Sequence, residues 1–300
     1  AGCGMAEASM PGAILATGGG EQPSPCIIGA PPEALGRGRA SMRAEVYPPW
    51  VVLHIPHDSV FIPEDVRSSF LLSDLELAAE LRRMTDHFTH ALFAPRRGRA
   101  AVIRAPVSRL VVDVERFADD AGEPMAARGM GVLYEVTSHL TPLRGRALPA
   151  EREALLNAWY YPHHDALEAA VAAAVDGYGQ CLVIDCHSFP GIALPYERAG
   201  PATVRPDICI GADDFHTSAA LAEAFVTAFS QDGRTVRVND PFSGALVPRS
   251  RYRTDPRVAA VMVEVNRGLY LNEADASPLP DFADTAAWIQ RCCQSALRST

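Results

Sequence analysis

Five stretches of this chain carry side chains able to hold a metal ion or move a proton. The first is His54-Ile55-Pro56-His57-Asp58-Ser59. Proline fixes φ and ends strand pairing, so His57 should project from a rigid turn. There it can offer a neutral imidazole to a metal or serve as a hydrogen-bonded structural histidine. The second is Asp185-Cys186-His187-Ser188, ending the apolar run Leu182-Val183-Ile184. Strand side chains alternate with period two, so Asp185 and His187 share a face and one can orient the other. Cys186 points the opposite way, which makes a cysteine–histidine pair a poor reading. Ser188 lies in no G-x-S-x-G elbow.

The third stretch, Thr85-Asp86-His87-Phe88-Thr89-His90, falls near the end of an expected helix. Asp86 and His90, four residues apart, would share a helix face. Either completes a metal site, or both belong to a solvated polar face. The fourth is Val263-Glu264-Val265-Asn266-Arg267, where Glu264 interrupts an apolar strand. A buried carboxylate is costly unless paired or used, and burial raises its proton affinity, as a general base for water requires. An internal Glu264–arginine salt bridge is the alternative. Arg267 is a natural fork for a substrate carboxylate. In the fifth stretch, Arg109 and Arg116 flank Leu110–Val114 and either bind an anion or pair with Asp113 and Glu115. His163 and His164 fit a helix surface better than a metal site.

The elements that must position these groups alternate. Strands are expected at 50–55, 101–103, 110–114, 181–186, 207–210, 235–238 and 260–265. A helix opens at Ser73, its apolar face formed by Leu77, Leu81, Met84 and Phe88. Others cover about 150–175, kinked or split by Pro162, 217–229 and about 284–297. The segment 117–149 is rich in glycine and proline and reads as a loop or substrate-facing excursion. Strands apolar on both sides and alternating with helices imply a three-layer α/β/α sandwich around a mixed sheet. Ligands bind beyond the carboxyl ends of strands in such folds, where these motifs fall.

Composition narrows the function further. The net charge of −9 disfavours nucleic-acid binding. Lysine is absent and all 27 basic residues are arginine, which excludes Schiff-base chemistry and a P-loop lysine. Seven cysteines without a CxxC pair suggest a reducing, cytoplasmic setting. No apolar run is long enough to span a membrane. Residues 1–45, rich in glycine and proline, read as a loosely packed arm preceding one domain over 46–300.

In order, I-P-H-x-S, T-D, S-R-L-V-V-D, D-C-H-S, P-D-I-x-I-G, P-F-S-G and E-V-N-R-G-L-Y resemble the N-formylglutamate amidohydrolase family, from about Val51 to Asn272. The resemblance implies a phosphorylase/hydrolase-like fold akin to zinc carboxypeptidases, and hydrolysis of N-formyl-L-glutamate to formate and L-glutamate. It implies Zn²⁺ held by His57, Asp86 and His187, with Glu264 as the base that activates water. Arg109, Arg116, Arg267, Ser188 and Asn266 are the candidates for binding a small anionic N-acyl amino acid. Many relatives continue S-R-L-V-V-D with Asn-Arg-Asp-Pro, whereas Val114-Glu115-Arg116-Phe117 stands here. Glu115 adds negative charge where an acidic substrate is expected. This leaves two further readings, a hydrolase for another N-acyl amino acid or small peptide, and a non-catalytic binding protein.

Overall fold

The computed structural model describes residues 47–95, 99–197 and 204–299. The expected arm over residues 1–45 lies outside the described residues. Six strands form one sheet: β1 (Val51–Ile55), β2 (Ala101–Arg104), β3 (Cys181–Phe189), β4 (Ile208–Gly211), β5 (Val236–Val238) and β6 (Val258–Asn266), in the order β2-β1-β3-β6-β4-β5. The first four in that order run parallel. β4 is antiparallel to β6 and parallel to β5, so the sheet is mixed. β7 (Leu271–Asn272) and β8 (Ser277–Pro278) form a separate ribbon.

Helices cover both faces because the central strands are apolar on both sides. α1 (Glu64–Arg67), α2 (Asp74–Met84), α3 (Thr89–Phe93), α4 (Pro149–Leu155), α5 (Tyr161–Tyr178), α6 (Ala219–Phe229) and α7 (Phe282–Ser299) follow in chain order. Leu92 and Phe93 of α3, Phe225 and Phe229 of α6 and Ile289 of α7 pack against Val51, Leu53, Leu182, Ile184, Val261 and Val263. On the opposite face, Leu167, Val171 and Val175 of α5 pack against Val52, Cys181, Val183 and Ala260. Period-two alternation then assigns the polar strand residues to the α5 face: His54, Asp185, His187 and Glu264 continue the rows of Val52, Val183 and Ala260. Register completes the alignment. His54 pairs with Asp185 across β1 and β3, and His187 with Glu264 across β3 and β6.

Local signals read as expected at several ends. Ser73 and Glu76 form a reciprocal capping box at the start of α2. Pro162 stands in the first turn of α5, and a π-helical turn over Leu156–Tyr160 divides α5 from α4. At the end of β4, a Cβ on Gly211 would lie 2.2 Å from the Gly244 carbonyl oxygen. Only glycine permits that close approach of backbone to backbone.

Three expectations fail. Leu110–Val114 is not a strand. The backbone turns there, with the Val111 N–H donating to the Ser108 carbonyl and Arg144 donating to the carbonyls of Leu110 and Val111. Its apolar side chains join Met130, Val132, Tyr134 and Leu143 in a second core outside the sheet. An apolar run reports burial and leaves the conformation open. Next, α2 stops at Met84. Thr85 is extended and Phe88 adopts the left-handed conformation (φ 64°), so Asp86 and His90 share no helix face. The Asp86 N–H donates instead to the His57 carbonyl at 2.9 Å. Finally, His163 is buried and His164 half-buried on α5, each hydrogen-bonded inward. No helix among the described residues is long and apolar enough to cross a membrane.

Candidate metal centre and active site

His187 is placed by a strand, His57 by a turn and Asp86 by the joint between α2 and α3. Ligand atoms from all three lie within 4.8 Å of one another, and all three residues are buried. The Nδ1 atoms of His187 and His57 stand 3.2 and 3.8 Å from Asp86 Oδ2. Each ring turns its other nitrogen to carboxylates: His57 Nε2 to Asp113 at 2.8 Å, His187 Nε2 to Glu115 at 3.0 Å and Asp185 at 3.1 Å. Carboxylates in that position fix the ring and leave Nδ1 available as a ligand. Asp86 is held in turn, since Oδ1 accepts from Arg267 at 2.9 Å and Oδ2 from the Ser188 N–H at 3.2 Å.

The fit to a metal can be tested on one atom. His57 Nδ1 is buried without a hydrogen-bond partner. Such an atom is costly unless something else occupies its lone pair. Two imidazoles and a carboxylate form the donor set of many Zn²⁺ sites, and they also suit other divalent ions. The residues therefore fit a cation.

The electrostatics agree. Burial raises the proton affinity of Asp86, but the neighbouring His187 and His57 imidazoles and the Arg267 charge override it, so its carboxyl stays ionised. At Asp113, burial is overridden by Arg109, His57 and Arg116. Burial and Arg109 lower the pKa of His57, and Asp113 and Asp86 outweigh them. Burial would also lower that of His187, and Glu115 and Asp185 hold it well above the usual range. Glu264 behaves differently. Burial, reinforced by Asp86 and Glu115 and opposed by His187, pushes it up to about 8. Its Oε2 has no hydrogen-bond partner. The alternative salt bridge between Glu264 and an arginine does not form among the described residues.

A cavity of about 190 Å³ opens onto these groups, lined by His57, Asp86, His187 and Glu264. Arg83, Arg109, Arg116, Arg267, Ser188, Phe189, Tyr196, Phe242 and Glu115 add to its wall. The candidate arginines are unequally free. Arg267 is buried, and it bonds Asp86, the Arg83 carbonyl and Ser188, so it orients Asp86. Arg109 bonds Asp113 at 2.9 Å and the Tyr134 hydroxyl at 3.1 Å. Arg116 has only a longer approach to Asp113, 3.8 Å from Nε, and keeps most of its fork for the cavity. Asn266 caps the turn after β6 by accepting from the Gly268 N–H and donates to the Pro206 carbonyl. That is a structural task away from the cavity wall.

Sequence reading undervalued Asp113. It accepts from His57, Arg109, Tyr134 and the Glu115 N–H. Only its place in an apolar, arginine-flanked run hinted at this. Arg83 and Tyr196 carry no signal in the sequence that would mark them as cavity residues.

Comparison with known proteins fits this geometry. The matching family model defines a hydrolase of the amidohydrolase type, built here on a mixed-sheet α/β fold. The family model for N-formylglutamate amidohydrolase matches residues 50–271, and the chain belongs to that family. Among solved structures, the chain is similar to N-formylglutamate amidohydrolase from Ralstonia eutropha JMP134. The TM-score is 0.72 at 23% identity, covering 83% of this chain and 92% of the other. It is also similar to a gene product of Agrobacterium tumefaciens, with TM-score 0.57 and 24% identity, covering 83% and 91%. Both likenesses show a shared fold. No curated protein sequence matches the chain.

Proposed function

We propose that this chain hydrolyses the amide bond of a small N-acyl amino acid with a divalent ion, Zn²⁺ first, held by His57, Asp86 and His187. The observation carrying this reading is the unpartnered His57 Nδ1 beside His187 and Asp86, one strand from the unpaired carboxylate of Glu264. When bound, the ion supplies Lewis acidity, polarising the amide carbonyl and making an attacking water more acidic.

The chain's own residues do the rest. Glu264 accepts the proton of the attacking water and returns it to the departing amine. The positive charge of the ion favours the ionised, proton-accepting form of Glu264 despite its burial. Arg116 grips the substrate carboxylate with its free fork, and Arg109 supports that grip through Asp113. A cavity of about 190 Å³ suits a single small amino-acid derivative; drug-sized ligands occupy roughly 300–1,000 Å³. Action in the cytoplasm belongs to the proposal, supported by five described cysteines that are buried free thiols.

N-formyl-L-glutamate is the first substrate in this reading. A second reading, a substrate without an acidic side chain, is favoured by Glu115. Its side chain is 18% exposed in the cavity wall, and its ion-pair partners are histidines, with no arginine among the described residues. A panel of N-formyl and N-acetyl amino acids with the zinc-loaded protein separates the readings. Highest kcat/KM on the glutamate derivative supports the first, and preference for a neutral side chain the second. No turnover anywhere on the panel would remove the enzymatic proposal.

A further inference from the structure

Behind His187 a row of buried polar side chains continues away from the cavity. Asp185 Oδ1 lies 3.1 Å from His187 Nε2 and 2.7 Å from His54 Nδ1. His54 Nε2 lies 2.8 Å from His163 Nε2 on α5. Asp185 Oδ2 accepts from the Leu246 N–H at 2.9 Å. His54 is fully buried and His163 nearly so.

The proton positions follow from donor and acceptor chemistry. A carboxylate only accepts, so His54 donates to Asp185 Oδ1, while the Nε2–H of His187 stands between Asp185 Oδ1 at 3.1 Å and Glu115 Oε1 at 3.0 Å. His54 therefore carries its proton on Nδ1 and, when neutral, accepts at Nε2. His163 must then donate from Nε2, which leaves its Nδ1 as a bare lone pair. That atom is buried without a partner. Burial and the neighbouring His54 push His163 down to about 2, so it stays neutral.

His54, Glu115 and Asp185 also bring ligand-type atoms within 4.8 Å of one another. The separations of 2.7 and 3.1 Å around Asp185 and of 3.0 Å between Glu115 Oε1 and His187 Nε2 are hydrogen-bond lengths. A row of hydrogen bonds explains the cluster without a second ion.

From this arrangement we infer that His54, backed by His163, is a positioning residue for the metal centre. It pins the Asp185 carboxylate, which together with Glu115 holds His187 with Nε2 protonated and Nδ1 turned to the cation. β1 thus supports the site twice on one strand, through His57 at its end and through His54 within it. The inference rests on the metal-site reading proposed above, and its test separates the two.

Conservative and non-conservative replacements should part company. His54→Asn keeps an N–H near the Nδ1 position, and His54→Leu removes it. Zinc competition against a chromophoric chelator should show affinity lowered about 10- to 100-fold in His54→Leu, the usual loss for an outer partner of a metal ligand. His54→Asn should stay within about threefold of wild type by the same scale. Equal loss in both variants would show that packing, not the hydrogen bond, matters, and would overturn the proposal. So would wild-type affinity in His54→Leu.

Two measurements on the wild-type chain stand apart from those variants. Long-range ¹⁵N–¹H spectra of the metal-free protein should find a proton on His54 Nδ1. Finding Nδ1 bare would refute the row whatever the metal does. Should wild type bind no zinc at all, the metal reading fails while the spectra still decide the hydrogen-bond row. Two zinc ions per wild-type chain, falling to one in His54→Leu, would make His54 a ligand and sink its positioning role.

Discussion

The two imidazoles of the centre are held by opposite kinds of backbone. His187 lies inside a nine-residue strand, and its supporting carboxylate, Asp185, stands two residues upstream on the same face. His57 leaves β1 through a proline turn, and its carboxylate, Asp113, arrives from an irregular segment 56 residues away. The strand aligns ligand and support by its own alternation, and His54 and the Leu246 N–H then hold Asp185 in place. The turn side needs a network: Asp113 is fixed by Arg109, Tyr134 and backbone, and that segment is fastened by Arg144. The difference teaches where tolerance lies. Regular backbone supplies the fixed half of the centre, and the loop half, which also brings Glu115 and Arg116, supplies the part that meets the substrate.

The sharpest test of the strand half is Glu264→Gln. Turnover should fall about 10²–10⁴-fold, the usual contribution of a general base, while metal content stays normal. Unchanged turnover would remove Glu264 from the chemistry. A direct contrast of the halves comes next. Asp113→Asn and Asp185→Asn should each weaken zinc binding about 10- to 100-fold. Asp113→Asn should in addition cost about 3–5 kcal/mol of stability, because it strips a buried pair from Arg109. Denaturant titration giving both variants the same stability would dissolve the contrast drawn here.

Substrate choice should respond to the loop half alone. Glu115→Gln removes a cavity charge with little change in volume, and relative kcat/KM for acidic over neutral N-acyl amino acids should rise about tenfold, equivalent to about 1.4 kcal/mol. A ratio that does not move would exonerate Glu115 as a selector. The smallest effect is expected at Asn266. Asn266→Ala loses a turn cap worth about 1 kcal/mol and should leave KM for the best substrate unchanged. A large rise in KM would return Asn266 to the substrate.

Much of this centre was legible along the chain because strand alternation is a local property. The pairing of Asp185 with His187, the buried carboxylate at Glu264 and the turn at His57 all follow from residue type and spacing. Asp86 was expected to act from a helix that ends at Met84 instead, because the sequence does not show that His57, Ser188 and Arg267 compete for its backbone and side chain. The run Leu110–Val114 misled for a related reason: hydrophobicity records burial, and a packed loop is buried as completely as a strand.

By itself the sequence determined the alternating elements, the polar residues at their ends and the membership of a hydrolase family. Tertiary structure alone decided that His54 stands opposite Asp185, that Arg267 serves Asp86, and that Glu115 in the cavity wall pairs with histidines and with no arginine among the described residues. The reason is physical. Spacing within a strand or helix is set by bonds between neighbours, whereas register, ion-pair choice and cavity walls depend on which distant segments win the competition to pack together.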